Sequence, residues 1–136
     1  MDKIEHIGIA VKDLDESSLL YTQLLGYKSY KQEKVDAENV ITEFFQVGES
    51  KLELLQASSD QSAIARFIEK RGEGIHHIAF AVENITIEMA RLKAEGFQLL
   101  SDVPKKGADN KLVCFVHPKS ANGVLIELCQ DISDQI

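Results

Sequence analysis

Cysteine is scarce in this chain, and basic residues are outnumbered. The two cysteines, Cys114 and Cys129, sit in apolar strand-like runs without CxxC spacing. They read as buried thiols and argue against a disulfide framework or a redox motif. Lysine and arginine number 15 against 22 acidic residues, for a net charge of −7. That balance excludes a general nucleic-acid binder, which needs a basic footprint. Lys105, Lys106, Lys111 and Lys119 are close in sequence. They read either as solvated surface or as a local site for a phosphate-bearing small molecule. No apolar run approaches the roughly 20 residues of a membrane-spanning helix, so no membrane association is expected. A strand-like pattern begins at residue 3. Neither a signal peptide nor a transit segment is therefore expected, which favours a cytoplasmic location.

What the chain does have is a repeat. Residues 6–14 read His-Ile-Gly-Ile-Ala-Val-Lys-Asp-Leu, and residues 77–85 read His-Ile-Ala-Phe-Ala-Val-Glu-Asn-Ile, 71 positions later. The offset is about half of the 136 residues, which points to two similar modules. The length suits one compact domain, 1–136, with module one at 3–57, a connecting helix at 58–73 and module two at 74–130.

Each module reads βαβββ. Residues 3–11 alternate as a strand, with Ile7, Ile9 and Val11 on one face and His6, Gly8 and Ala10 on the other. Asp13 and Glu16 form a capping box for a helix whose spacing is carried by Leu20 and Leu24 and which stops at Gly26. Strands are expected at 27–35, 40–47 and 51–55, the last two joined by a turn at 48–50. Ile64, Phe67 and Ile68 mark the apolar face of the connecting helix. In module two a strand at 75–82 precedes a helix capped by Asn84, carrying Ile85, Met89 and Leu92 and closed by Gly96. Strands follow at 97–100, 112–117 and 124–128, with a polar loop at 104–111 and a turn at 118–122. The tail 131–136 is expected to fray.

The repeat runs past its opening. Glu53 and Glu127 each interrupt an apolar final strand, 74 positions apart. A carboxylate there is costly unless it is exposed, paired or bound to metal. Taken singly, each glutamate reads as solvent-facing and each strand histidine as structural. Taken as a matched set, His6, Glu53, His77 and Glu127 offer two imidazoles and two carboxylates, which suit a divalent metal in a mixed N/O site with open positions. His76 points away from His77 on a regular strand and is assigned a structural or supporting role. His117 has no repeat partner and is not counted as a ligand.

Three segments carry a family resemblance. They are His6-Ile-Gly-Ile-Ala-Val, then Phe67-Ile-Glu-Lys-Arg-Gly-Glu-Gly-Ile-His-His-Ile-Ala-Phe, and His117-Pro-Lys-Ser followed by Gly123-Val-Leu-Ile-Glu. From residue 4 to 128 the chain resembles the vicinal oxygen chelate superfamily, also known as glyoxalase/bleomycin resistance/dioxygenase. Within it the match is to the methylmalonyl-CoA epimerases. The resemblance implies an α+β fold of two βαβββ modules in pseudo-twofold arrangement, forming an open, U-shaped mixed sheet around a metal. It places the ligands on the same four residues, His6, Glu53, His77 and Glu127, although some members present Gln at the position of Glu53.

The implied chemistry interconverts (2R)- and (2S)-methylmalonyl-CoA by C2 proton abstraction and reprotonation through a metal-stabilised enolate. Glu127 and Glu53 are the candidate proton-transfer residues. Lys119 and Ser120 are candidate contacts for the acyl-CoA substrate. The divalent metal is Co, Mn, Ni or Zn, and a homodimer is implied. Two departures stand out. A Gly-Ala-His-Gly loop of many members reads Gly107-Ala-Asp-Asn here, and a base that some members carry falls on Thr42, with Glu43 beside it pointing oppositely. The competing functions are a lactoylglutathione lyase on the same scaffold and a non-enzymatic small-molecule-binding protein of the same fold.

Overall fold

The computed structural model describes residues 1–132. The chain forms two compact units, one of His6–His76 and one joining Met1–Glu5 to the residues from His77 onward. The N-terminal five residues thus belong with the second half of the sequence. Within that unit the Asp2 N–H donates to the Ala81 carbonyl at 2.9 Å.

The unit His6–His76 carries strand β1 (Lys3–Ala10, from His6 on), helix α1 (Leu14–Leu25), strands β2 (Lys31–Val35), β3 (Val40–Val47) and β4 (Ser50–Ala57), and helix α2 (Ala63–Arg71). Its strand order is β2-β3-β4-β1, antiparallel except for the parallel pairing of β1 with β4. The other unit carries β5 (Gly74–Ala81, from His77 on), α3 (Ile85–Ala94), β6 (Lys105–Lys106), β7 (Lys111–Val116) and β8 (Ile126–Asp131). Its order is β5-β8-β7-β6, again with one parallel pair, β5 with β8. The expected α+β modules are both present. The parallel pairs exist because each helix is the crossover between a first strand and the later strands it packs on.

The helix signals behave as read. Asp13 accepts from the Glu16 N–H at 3.0 Å and Asn84 from the Ile87 N–H at 3.1 Å. Gly26 ends α1 in the left-handed region at φ 87°, where a side chain would be strained. A second, unforeseen repeat holds each helix start. The first helical N–H of α1, on Leu14, donates to Gln56 Oε1 at 2.6 Å. Its counterpart on Ile85 donates to Gln130 Oε1 at 2.8 Å. Both glutamines lie three residues beyond the repeated glutamates. They satisfy a donor that no turn of the helix reaches and tie each helix to the strand that carries the acid.

Several expected boundaries shift. Leu20 and Leu24 do not face the core of their unit: they are 59% and 70% exposed, and Leu14, Tyr21 and Leu25 pack inward with Val11, Phe45 and Leu54. The sequence offers two leucine-bearing stripes with the same four-residue spacing. The cap at Asp13 and the burial of Leu14 select the 14/21/25 stripe. In α3, by contrast, Ile85, Met89 and Leu92 pack with Val82, Cys114, Val116 and Leu128 as read.

The connecting helix starts at Ala63, not near 58, because Ser62 caps it by accepting from the Ala65 N–H at 3.0 Å. Residues 97–100 are not a strand. Leu99 makes only an isolated bridge to Val116, and the short strand beside β7 is Lys105–Lys106, inside the expected loop. Asp131 does not fray, since it ends β8 opposite Lys111. The rest of the expected frayed tail, 133–136, lies outside the described residues.

Gln130→Leu is expected to lower stability by about 1–2 kcal/mol, because the buried Ile85 N–H loses its acceptor. Gln56→Leu is expected to act similarly on α1. Urea denaturation midpoints measure both, and an unchanged midpoint would refute the capping role.

Candidate active site

In both modules the strand register brings the histidine and the glutamate of the repeat onto one face. Gly8 of β1 lies opposite Glu53 of β4, and Ala79 of β5 lies opposite Glu127 of β8. Gly8 and Ala79 each stand two residues after the histidine, so they share its face. A small residue at that point leaves room for imidazole and carboxylate to meet above it. In the unit His6–His76 the His6 Nδ1 lies 2.9 Å from Glu53 Oε2. In the other unit the His77 Nε2 lies 3.4 Å from Glu127 Oε1. All four side chains are buried.

The repeat also supplies the surroundings of each acid. Phe44 is the cross-strand partner of Glu53, and Phe115 is that of Glu127. They are 71 positions apart, like the histidines. The Phe115 ring stands edge-on to His77 at 5.9 Å between centroids. Each carboxylate is therefore flanked by an aromatic ring and screened from water, with an imidazole beside it. A carboxylate in such surroundings needs a cation or strong donors. The donor chemistry of each pair, one imidazole nitrogen and one carboxylate, fits a divalent metal ion.

Residues 5–115 match the Glyoxalase/Bleomycin resistance protein/Dioxygenase superfamily. Ethylmalonyl-CoA/methylmalonyl-CoA epimerase of Cereibacter sphaeroides is 39% identical, over 94% of this chain and 97% of that protein. The mitochondrial methylmalonyl-CoA epimerase of Homo sapiens is 36% identical, over 96% of this chain and 74% of that one. A variant of the Streptomyces coelicolor methylmalonyl-CoA epimerase, solved in complex with 2-nitronate-propionyl-CoA, superposes with a TM-score of 0.93 at 32% identity. That superposition covers 96% of this chain and 95% of the solved one. The chain belongs to the methylmalonyl-CoA epimerase family of that superfamily. The family resemblance seen in the sequence is thus borne out, and the fold with it.

His76 is half-buried and meets the Phe67 ring of α2 edge-on at 5.0 Å, which is a structural contact. His117 caps a short 3-10 turn, accepting from the Lys119 N–H at Nδ1, 3.0 Å away. The Ser120 hydroxyl accepts from the Gln98 N–H at 3.0 Å, so it also braces the 97–100 segment. The Lys119 side chain is exposed. Lys111 pairs with Asp131 at 3.6 Å, which removes it from a freely available basic cluster.

Thr42 is buried opposite Leu55, and Glu43 is opposite Leu54. Glu43 therefore lies on the face away from Glu53. Sequence reading did not single out Glu43 or Glu5 as buried, although both are. Gln32 donates to Glu43 Oε1 at 2.8 Å, while Oε2 has no hydrogen-bond partner among the described residues. The alternation of β3 was the available signal for Glu43. For Glu5 only its adjacency to His6 offered one.

Because Glu43 is buried with one oxygen unsatisfied and faces away from Glu53, Glu43→Leu is expected to raise stability by about 1 kcal/mol. Divalent-metal affinity should stay unchanged. Urea unfolding and metal titration check the pair of outcomes, and a loss of metal affinity would assign Glu43 to the site after all.

Proposed function

We infer that this chain epimerises methylmalonyl-CoA at C2 with a divalent metal held by His6, Glu53, His77 and Glu127. The observation that carries the reading is the duplicated buried His–Glu pair in a chain of this family. The Cereibacter and human relatives, both methylmalonyl-CoA epimerases by name, and the acyl-CoA analogue on the Streptomyces enzyme support the same substrate. When bound, the metal supplies Lewis acidity to the substrate's thioester and carboxylate oxygens.

The chain's own residues do the rest. Epimerisation removes the C2 proton from one face and returns a proton to the other, so it needs two proton-transfer groups. Glu127 takes the C2 proton. Glu53, or a further acid, delivers the proton on the opposite face. Phe44 and Phe115 flank the two glutamates and limit proton exchange with solvent. The exposed Lys119 is placed to meet an anionic part of the acyl-CoA, with Ser120 holding the turn that presents it. The reading further takes the protein as a cytoplasmic homodimer serving propionate metabolism. Among the described residues, no helix is long and apolar enough to cross a membrane.

Glu127→Gln is expected to lower kcat for epimerisation and C2 solvent-isotope exchange by at least about a hundredfold. Near-native exchange with metal still bound would remove Glu127 from proton transfer. Chelator-treated protein is expected to lose activity and to regain it with Co2+. Full activity without metal on elemental analysis would refute the metal assignment. Parallel assays with methylmalonyl-CoA and the glutathione hemithioacetal of methylglyoxal are expected to show turnover of the former alone. Turnover of the hemithioacetal instead would establish a lactoylglutathione lyase.

A further inference from the structure

The two repeated glutamates are not held alike. Position 55 in β4 and position 129 in β8 both follow the glutamate by two residues and share its face. Module one has Leu55 there and module two has Cys129. Cys129 is 2% exposed, in a buried cluster with Ala79 and Val113. Its Sγ–H donates to Glu127 Oε1 at 3.4 Å. The same oxygen lies 3.4 Å from His77 Nε2. Glu53 instead meets His6 at a closer 2.9 Å, with an apolar leucine at the equivalent place. Cys114 offers no such contact; its sulfur lies 3.7 Å from the Ser101 hydroxyl and 3.8 Å from the Phe115 carbonyl oxygen.

We propose that Cys129 is a positioning residue for Glu127. Its thiol anchors Oε1 and so sets the rotation of the carboxylate that binds the metal and moves the proton. A thiol suits this role because it is a weak, long donor. The cysteine also breaks the symmetry of the duplicated site, leaving two carboxylates of common origin with different surroundings. That is how paired acids acquire different roles. The proposal rests on Glu127 acting as ligand and proton-transfer group in the proposed function.

The test compares Cys129→Val, which keeps the position apolar and removes the donor, with Cys129→Ser, which keeps a donor. Partners that orient a metal ligand contribute about 10–100-fold to affinity or activity. Cys129→Val is therefore expected to weaken Co2+ binding by about tenfold in calorimetry, to shift the visible Co2+ absorption bands, and to lower kcat by about tenfold with KM within about twofold. Cys129→Ser is expected to restore Co2+ affinity and kcat to within about threefold of the unsubstituted protein. Melting temperatures check that both variants fold. Native Co2+ affinity and native kcat in Cys129→Val would overturn the proposal, as would equal impairment of the two variants. If the unsubstituted protein binds Co2+ but does not exchange the C2 proton, the proposed function fails. The Co2+ affinities of the variants would still decide the role of Cys129.

Discussion

A carboxylate placed inside an apolar strand must find a cation or strong donors, because the interior offers no water to solvate it. This chain meets that demand twice with the same strand register. The register of a parallel strand pair sets a glutamate opposite a glycine or alanine, and the histidine two residues before that small residue turns to meet it. A larger residue at Gly8 or Ala79 would occupy the space in which imidazole and carboxylate approach. Each histidine–glutamate pair is thus set beside one small residue, Gly8 or Ala79.

The rest of each module keeps that register fixed. A one-residue slip between first and last strand would carry the glutamate to the opposite face. Backbone bonds from Val11 to Leu55 and from Val82 to Cys129 extend the pairing beyond the glutamates. Gln56 and Gln130 then fasten each helix start to the strand that carries the acid. In each module the helix cap and the repeated glutamate therefore share one strand. Changes at the helix starts are coupled to the geometry of the carboxylates through a few residues of rigid backbone.

Much of this was legible in the sequence because it is local or repeated. Asp13, Asn84 and Gly26 act through neighbours within a turn, so their roles follow from residue type and spacing. His6, Glu53, His77 and Glu127 stood out because a matched set is unlike four isolated polar residues. The repeat was still read too narrowly. Phe44 and Phe115 share the 71-residue offset, and Gln56 and Gln130 share the 74-residue offset. They passed unnoticed because a phenylalanine or a glutamine near a strand has many ordinary explanations. Helix α1 was assigned the wrong face because Leu20–Leu24 and Tyr21–Leu25 have the same spacing, and only packing distinguishes them.

By itself the sequence determined the two βαβββ modules, the ends of α1 and the start of α3, and the repeated set His6, Glu53, His77 and Glu127. These depend on hydrophobic periodicity, turn residues and repetition, all of which are written in residue order. Tertiary structure decided which residues lie across from the glutamates, which side chains satisfy the helix N–H groups, and that Cys129 donates to Glu127 while its module-one counterpart is a leucine. It also decided that Met1–Glu5 joins the second half of the chain. The pairings of Gly8 with Glu53, Leu14 with Gln56 and Ile85 with Gln130 join residues some 40 or more positions apart, while Phe44 and Phe115 meet the glutamates across antiparallel strands whose register is fixed in three dimensions. Each such pairing is selected by the free energy of the assembled sheet and core, which no local pattern contains.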